Sequence, residues 1–266
     1  MTLGRPSTIT DPSDTRLLPF RDLPHRPGDA DGFIAEGALA VERLLAARWP
    51  VHAVLCTPAA RNRLGPRLEG VAVYEAPGPL LREVVGFDLH RGVVAWAPRP
   101  DLARLPCRPD ALRTVVVAER LADPSNLGAL LRNARAFGVD LVVCDSRGAD
   151  PLSRRAIRAA MGHLFTLPLW ITAPAEAVAC LQGRPRGLRC VATTLAGGAT
   201  PLARYRWAER VALLVGNEGA GLSPELSARA DDAVTLPMAA GADSLNVAAA
   251  TAVFLYSRAA ALDEVP

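Results

Sequence analysis

From Thr114 onward six short apolar runs recur with helical stretches between most of them, and this alternation constrains the fold more than any other feature. The runs are Thr114–Ala118, Leu141–Cys144, Leu167–Ile171, Cys190–Thr193, Val211–Val215 and Ala233–Leu236. They are short and largely apolar throughout rather than alternating, the pattern of strands covered on both faces. Leu127–Phe137 and Ser153–Met161 carry helical spacing. Buried strands separated by helices predict an α/β domain built on a mostly parallel sheet. Ligands of such sheets bind outside the carboxyl ends of the strands, so the loops that follow the strands are where chemistry is expected.

A smaller α/β unit precedes this one. Residues 1–19 mix Thr, Ser, Asp and Pro without periodicity and read as a flexible tail. Within residues 20–98, Phe33-Ile34-Ala35-Glu36-Gly37 leads into a helical stretch to Arg48 with Ala38, Val41, Leu44 and Leu45 on one face. Strands are expected at Val51–Leu55, Val71–Tyr74 and Gly92–Ala97, and helices at Ala59–Leu64 and Pro79–Val85. Pro98, Pro100, Pro106 and Pro109 mark residues 99–112 as a linker, which leaves 113–266 as the second domain.

Composition adds exclusions more than assignments. All 30 basic residues are arginine, which suits bidentate phosphate contact, but a net charge of +3 is too small to be a nucleic-acid footprint. Cys56, Cys107, Cys144, Cys180 and Cys190 lack paired short spacing and read as buried free thiols in a reducing cytoplasm. His25, His52, His90 and His163 are scattered without metal-ligand spacing, so no metal is expected. The first residues lack a signal-peptide pattern, and no apolar run is long enough to span a membrane.

Three strand-end loops carry the unusual residues. The first is Ala122 to Gly138, where Pro124 and Ser125 fit a helix start and Gly138 its end. Asn126 and Arg132 lie six residues apart, roughly 120° around the helix and nearly two turns along it. Taken alone, Asn126 reads as a cap and Arg132 as part of a solvated face. The second loop, Gly216-Asn217-Glu218-Gly219-Ala220-Gly221, sets an Asn-Glu pair among glycines directly after an apolar strand, so its backbone approaches something closely. It is neither a Walker phosphate loop nor a dinucleotide fingerprint. Glu218 suits a cationic or amide-bearing neighbour. The third runs from Leu236-Pro237-Met238 to Ser244-Leu245-Asn246-Val247. Pro237 ends strand pairing, Gly241 permits a turn, and Asp243 or Ser244 is expected to cap the helix that follows. Asn246, a poor helix former, falls early in that Ala-rich helix.

Together the three loops resemble the motifs of the SpoU/TrmH family of RNA ribose 2′-O-methyltransferases, within the SPOUT superfamily. The matching pieces are Asn126-x-Gly128-x3-Arg132 with Phe137-Gly138, Gly216-Asn217-Glu218-Gly219-x-Gly221, and Leu236-Pro237-Met238 with Ser244-Leu245-Asn246-Val247, spread over about 140 residues in the family's order. The resemblance implies a C-terminal trefoil knot, one of the exceptions to unknotted topology. It implies S-adenosylmethionine as cofactor, its adenine held by Thr193, Thr194, Leu195, Gly216, Leu236 and Leu245. It also implies a catalytic set of Arg132, Asn126, Glu218, Ser244 and Asn246, with Arg132 orienting the ribose hydroxyl and stabilising developing oxyanion. A homodimer follows from the same resemblance, though the apolar last helix is equally explained by burial within one subunit. The N-terminal unit resembles the ribosomal-protein-like RNA-binding domain often attached in this family.

The chain departs from the family at Ala159-Ala160-Met161-Gly162-His163, where many relatives carry Ser before the Gly; changed packing or substrate contact is expected there. Arg147, Arg154, Arg155 and Arg158 cluster nearby in sequence and fit either RNA phosphate contact or a solvated face. The expected partner is structured RNA, with 23S ribosomal RNA favoured over transfer RNA. The competing reading is a catalytically silent knotted RNA-binding protein acting in ribosome assembly; retention of all five site residues speaks against it. A nicotinamide-dependent oxidoreductase fails for want of the glycine fingerprint.

Overall fold

The computed structural model describes residues 6–24, 32–89, 91–183, 187–239, 241 and 244–262. Its first elements are β1 (Ser7–Thr8), β2 (Gly32–Glu36), α1 (Ala38–Ala46), β3 (Ala53–Cys56), α2 (Pro58–Leu64), β4 (Ala72–Glu75), α3 (Gly78–Val85) and β5 (Val93–Pro98). Then follow β6 (Thr114–Ala118), α4 (Pro124–Ala136), β7 (Leu141–Asp145), α5 (Arg154–Ala159), β8 (Leu169–Thr172) and α6 (Pro174–Gln182). The last are β9 (Arg189–Thr193), β10 (Thr200–Pro201), β11 (Val211–Val215), α7 (Pro224–Ala228), β12 (Asp232–Thr235) and α8 (Val247–Ala261). Contacts divide the chain into one unit of residues 1–100 with 152–166 and a second of 101–151 with 167–266.

In the first unit the strand order is β1-β4-β3-β5-β2, with β5 antiparallel to both neighbours. The tail expected at 1–19 is corrected from Pro6 onward. Ser7 and Thr8 pair with Tyr74 and Glu75 on the edge of β4, and Ile9, Leu17 and Phe20 are buried. Burying each such side chain contributes roughly 2 kcal/mol, and their spacing follows no helix or strand period, so the sequence pattern concealed them. Residues 152–166, which follow β7 in sequence, pack in this first unit. Arg154 Nε donates to Glu36 Oε2 at 3.0 Å and Arg158 Nη1 to Glu36 Oε1 at 3.3 Å. Trp49 Nε1 donates to the Phe165 carbonyl at 3.0 Å, and Phe33, Trp49 and Phe165 form an aromatic trio. Gly162, at φ +77°, lies so close to α1 that a Cβ there would sit 2.8 Å from the Ala40 Cα. Arg154 and Arg158 thus serve this packing, while Arg147 belongs to the second unit and pairs with Asp145.

The second unit is a seven-stranded sheet ordered β10-β12-β9-β11-β6-β7-β8, every neighbouring pair parallel. Strands β6, β7 and β11 are buried at every residue, as their uninterrupted apolar runs predict. Residues 99–112 were expected as linker, and from Asp101 on they are a packed strap. The Leu102 carbonyl accepts from Ile171 N at 2.7 Å, the Ala103 carbonyl from Trp170 Nε1 at 3.1 Å, and Leu112 is buried. On one face α4 and α8 lie together, joined by Asn133 Nδ2 donating to the Ala248 carbonyl at 2.8 Å and by the Phe137–Tyr256 edge contact. All five cysteines are free. Cys56, Cys144 and Cys190 are buried and burial pushes each thiol up to about 12, whereas Cys107 and Cys180 are only partly covered. No helix among the described residues is long and apolar enough to cross a membrane.

One consequence of the order places the site. β12 lies beyond β9, yet α8, which comes next, packs on α4, which follows β6. The chain between β12 and α8 therefore returns across the carboxyl ends of β9 and β11.

Candidate functional site

That return closes a cavity of about 590 Å³ at the strand ends. Its walls are the loop after β9 (Thr193 to Ala196), the loop after β11 (Gly216 to Leu222), and the segment from Leu236 to Val247, of which Leu236, Met238, Ser244, Leu245 and Asn246 line it. Asn126, from the first turn of α4, reaches the same space. All six residues expected around the adenine line this cavity.

The loop after β11 is shaped first by its own closure. Asn217 and Gly221 exchange backbone hydrogen bonds at 3.0 and 2.9 Å, and a Cβ on Gly216 would lie 2.2 Å from the Gly221 carbonyl carbon. The close approach expected from the glycines is thus within the loop itself. Asn217 Oδ1 accepts from Gly219 N and Ala220 N, both at 3.0 Å, and its Nδ2 donates to the Arg120 carbonyl at 2.8 Å. This side chain organises the loop and ties it to the one after β6. Asn217 was not among the expected site residues, although an Asn whose side chain can accept from the backbone two residues on is a recognised turn signal.

Glu218 collects donors. Asn126 Nδ2 donates to Oε1 at 3.0 Å and Ala122 N to Oε2 at 3.2 Å, with Asp123 N and Asn217 Nδ2 more distant at 3.4 and 3.3 Å. Burial pushes this carboxyl up, but the Asn126 amide, its own backbone N–H and those of Ala122 and Asp123 outweigh it, so it titrates below its ordinary value. An ionised carboxylate can only accept, so Asn126 must present its amino group to Glu218 and its carbonyl elsewhere. That carbonyl oxygen accepts from Asn246 Nδ2 at 2.8 Å. Asn246 must then turn its own oxygen to the start of α8, where Oδ1 accepts from Ala248 N at 2.9 Å and Ala249 N at 3.3 Å. Polarity runs in one direction from the carboxylate to the helix, and it links all three loops.

The cap of α8 is therefore Asn246, not Asp243 or Ser244. Asp243 lies outside the described residues, and Ser244 lines the cavity. The apparent misfit of Asn246 disappears, because it stands just before the helix, where a side-chain acceptor is favoured. Among the five expected catalytic residues, Asn126, Glu218 and Asn246 form the chain just described and Ser244 faces the same space. Arg132 stands apart, exposed on the third turn of α4 and not among the lining residues. Its separation from Asn126 around the helix accounts for this. Thr193 Oγ1 donates to the Leu214 carbonyl at 2.9 Å, tying the end of β9 to β11, and Thr194 Oγ1 accepts from Ala196 N at 3.0 Å, bracing its own loop.

Two further residues flank the site without having been expected. Glu119 is buried and its Oε2 accepts from Ser223 N at 2.7 Å, fixing the end of the Gly216–Leu222 loop. Arg120 next to it takes φ +48°, a left-handed conformation that costs a non-glycine residue about 1 kcal/mol. Nothing in the local sequence signals either role.

Comparisons with known proteins identify the family. Residues 113–256 match the family model described as the SpoU rRNA Methylase family. The chain is 40% identical over 266 residues to a protein of Mycobacterium tuberculosis named an uncharacterized tRNA/rRNA methyltransferase, covering 94% of this chain and 90% of that one. It is 35% identical over 225 residues to the 23S rRNA (guanosine(2553)-2′-O)-methyltransferase RlmP of Bacillus subtilis, covering 84% and 87%. Among solved structures, the AdoMet-bound rRNA methyltransferase of Sinorhizobium meliloti superposes with a TM-score of 0.79 at 28% identity, covering 96% of this chain and 98% of that one.

Proposed function

The chain belongs to the SpoU rRNA methylase family, and from that premise we propose that it is an S-adenosylmethionine-dependent RNA methyltransferase acting on a ribose 2′-hydroxyl. The observation that carries this reading is the one-way hydrogen-bond chain from Glu218 through Asn126 to Asn246, which joins three loops around one cavity. Its size and lining fit the cofactor. Leu195, Leu236 and Leu245 offer an apolar slot for a neutral base, and the backbone of Gly216 to Leu222 offers polar groups beside it. When bound, S-adenosylmethionine supplies a methyl group activated on a sulfonium.

The protein's own part is positioning. The hydroxyl must approach in line with the methyl, and it gains nucleophilicity as its proton leaves. Asn126 and Asn246 are locked in orientation by Glu218 at one end and α8 at the other, so these amides present fixed polar groups to the ribose at little reorganisation cost, with Ser244 facing the same space. Arg132 orients the hydroxyl and stabilises developing oxyanion; its pKa above about 12 makes it a poor proton acceptor. Its exposure on α4 suits a group that meets the RNA rather than the cofactor.

The same reading includes a trefoil knot, for which the return of the chain across β9 and β11 is the support. It includes a homodimer, supported by Val253 and Tyr256 left exposed on α8, and an RNA-binding role in the cytoplasm for the first unit. Structured RNA is the substrate, with 23S ribosomal RNA favoured by the activity named for the B. subtilis relative. Calorimetry should register S-adenosylmethionine binding, and mapping 2′-O-methyl sites in total RNA should find one missing in a deletion strain. In Arg132→Ala, methyl transfer should fall on the order of a hundredfold or more with cofactor binding kept. A deletion strain that retains every site would defeat the assignment.

A further inference from the structure

We propose that Arg120 is a substrate-binding residue that grips an RNA phosphate beside the target ribose, a role that rests on the functional reading above. Among the described residues of the second unit it is the one non-glycine residue with positive φ, at +48°. The conformation is imposed from every side. Glu119 N donates to the Val215 carbonyl at 2.8 Å, and the Leu121 carbonyl accepts from Ala149 N at 2.7 Å. Its own carbonyl accepts from Asn217 Nδ2 at 2.8 Å, and two residues on, Ala122 N donates to Glu218. Glu119 and Leu121 are both buried, so the kink between them turns residue 120 outward.

Backbone physics alone would choose glycine or asparagine here, since both enter the left-handed region with little strain. An arginine instead occupies the position, exposed, and its guanidinium makes no hydrogen bond or ion pair among the described residues. No polar bond of its side chain therefore offsets the strain. Strain held in place by surrounding bonds at the edge of a site points to function. The loop it leaves is anchored to Asn217 and Glu218, so the charge is fixed beside the cavity where a polyanion must dock. A planar fork of donors on a fixed backbone suits one phosphate. It also offsets the negative charge of nearby Glu218 and Asp123, which would otherwise repel RNA.

Arg120→Asn relaxes the backbone and removes the charge, while Arg120→Lys keeps both the strain and the charge. Binding of an unmodified 23S ribosomal RNA transcript should be measured across a salt series, alongside melting temperature and S-adenosylmethionine affinity. Arg120→Asn should melt no lower than the parent and bind cofactor equally. It should bind RNA on the order of five- to tenfold more weakly, with the slope of log affinity against log salt reduced by about 1. Arg120→Lys should keep most of the slope. Unchanged RNA affinity and slope in Arg120→Asn would overturn the assignment, as would a clearly lower melting temperature, which would make the residue structural. A parent that binds cofactor but no RNA would overturn the functional reading itself, an outcome distinct from either.

Discussion

Two carboxylates show how differently this protein treats its negative charges. Glu36, in the first unit, is buried and clamped by the guanidinium groups of Arg154 and Arg158. Glu218, at the cavity, has amide donors and no ion pair among the described residues. In a chain whose 30 basic residues are all arginine, an arginine partner would have been the easy solution. An arginine pair neutralises a charge and holds two segments together. A ring of amides leaves the charge in place and uses it to set the direction in which neighbouring amides point. The first arrangement makes structure, and the second makes a site.

The sharpest way to break the contrast is to remove the structural member. Glu36→Ala leaves the part-buried Arg154 guanidinium without its carboxylate, Arg158 being largely exposed, and should destabilise the first unit by roughly 2 kcal/mol, read by denaturant unfolding. If it unfolds at the parent's denaturant concentration, the clamp is only decorative. Asn246→Asp should leave stability almost unchanged, because a carboxylate caps α8 as well as an amide does. It cannot donate to Asn126, so methyl transfer should drop by about tenfold or more. Equal losses of stability and activity would show that Asn246 acts through the helix alone. Glu218→Gln is the gentlest change. Its amide sets an N–H against the N–H of Ala122 or Asp123, and transfer should fall several-fold with S-adenosylmethionine still bound.

That last variant also carries a pH signature. The folded Glu218 carboxyl titrates below its ordinary 4.5, so its contribution to stability is complete above 4.5 and is lost as pH falls through the folded value. Any stability advantage of the parent over Glu218→Gln should be flat at neutral pH and shrink on acidification below 4.5. An advantage that grew there would reverse the assigned direction.

Much of the second unit was legible because its signals are local. The strands β6, β7 and β11 lie almost where their apolar runs ended, and α4 begins at the predicted Pro124 with Asp123 as its cap. The order of the three loops was equally readable from their odd residues. The tail was misread because Ile9, Leu17 and Phe20 have no periodic pattern and gain meaning only against β4 and α3. Residues 152–166 were placed by sequence order, yet an apolar helix face does not say which core it joins.

By itself, then, the sequence determined the parallel α/β framework and the loops at its strand ends, since burial period and turn chemistry act over a few positions. The residues expected around the cavity came from the resemblance of those loops to one family. Only the tertiary structure decided which amide donates to which, because that polarity is set by contacts between residues about 90 to 120 positions apart. It made Asn246 at once a cap and a link in the site. It also held Arg120 in a backbone conformation that no local propensity would select. Hydrogen-bond direction and strain belong to closed networks, and a network closes only when distant segments meet.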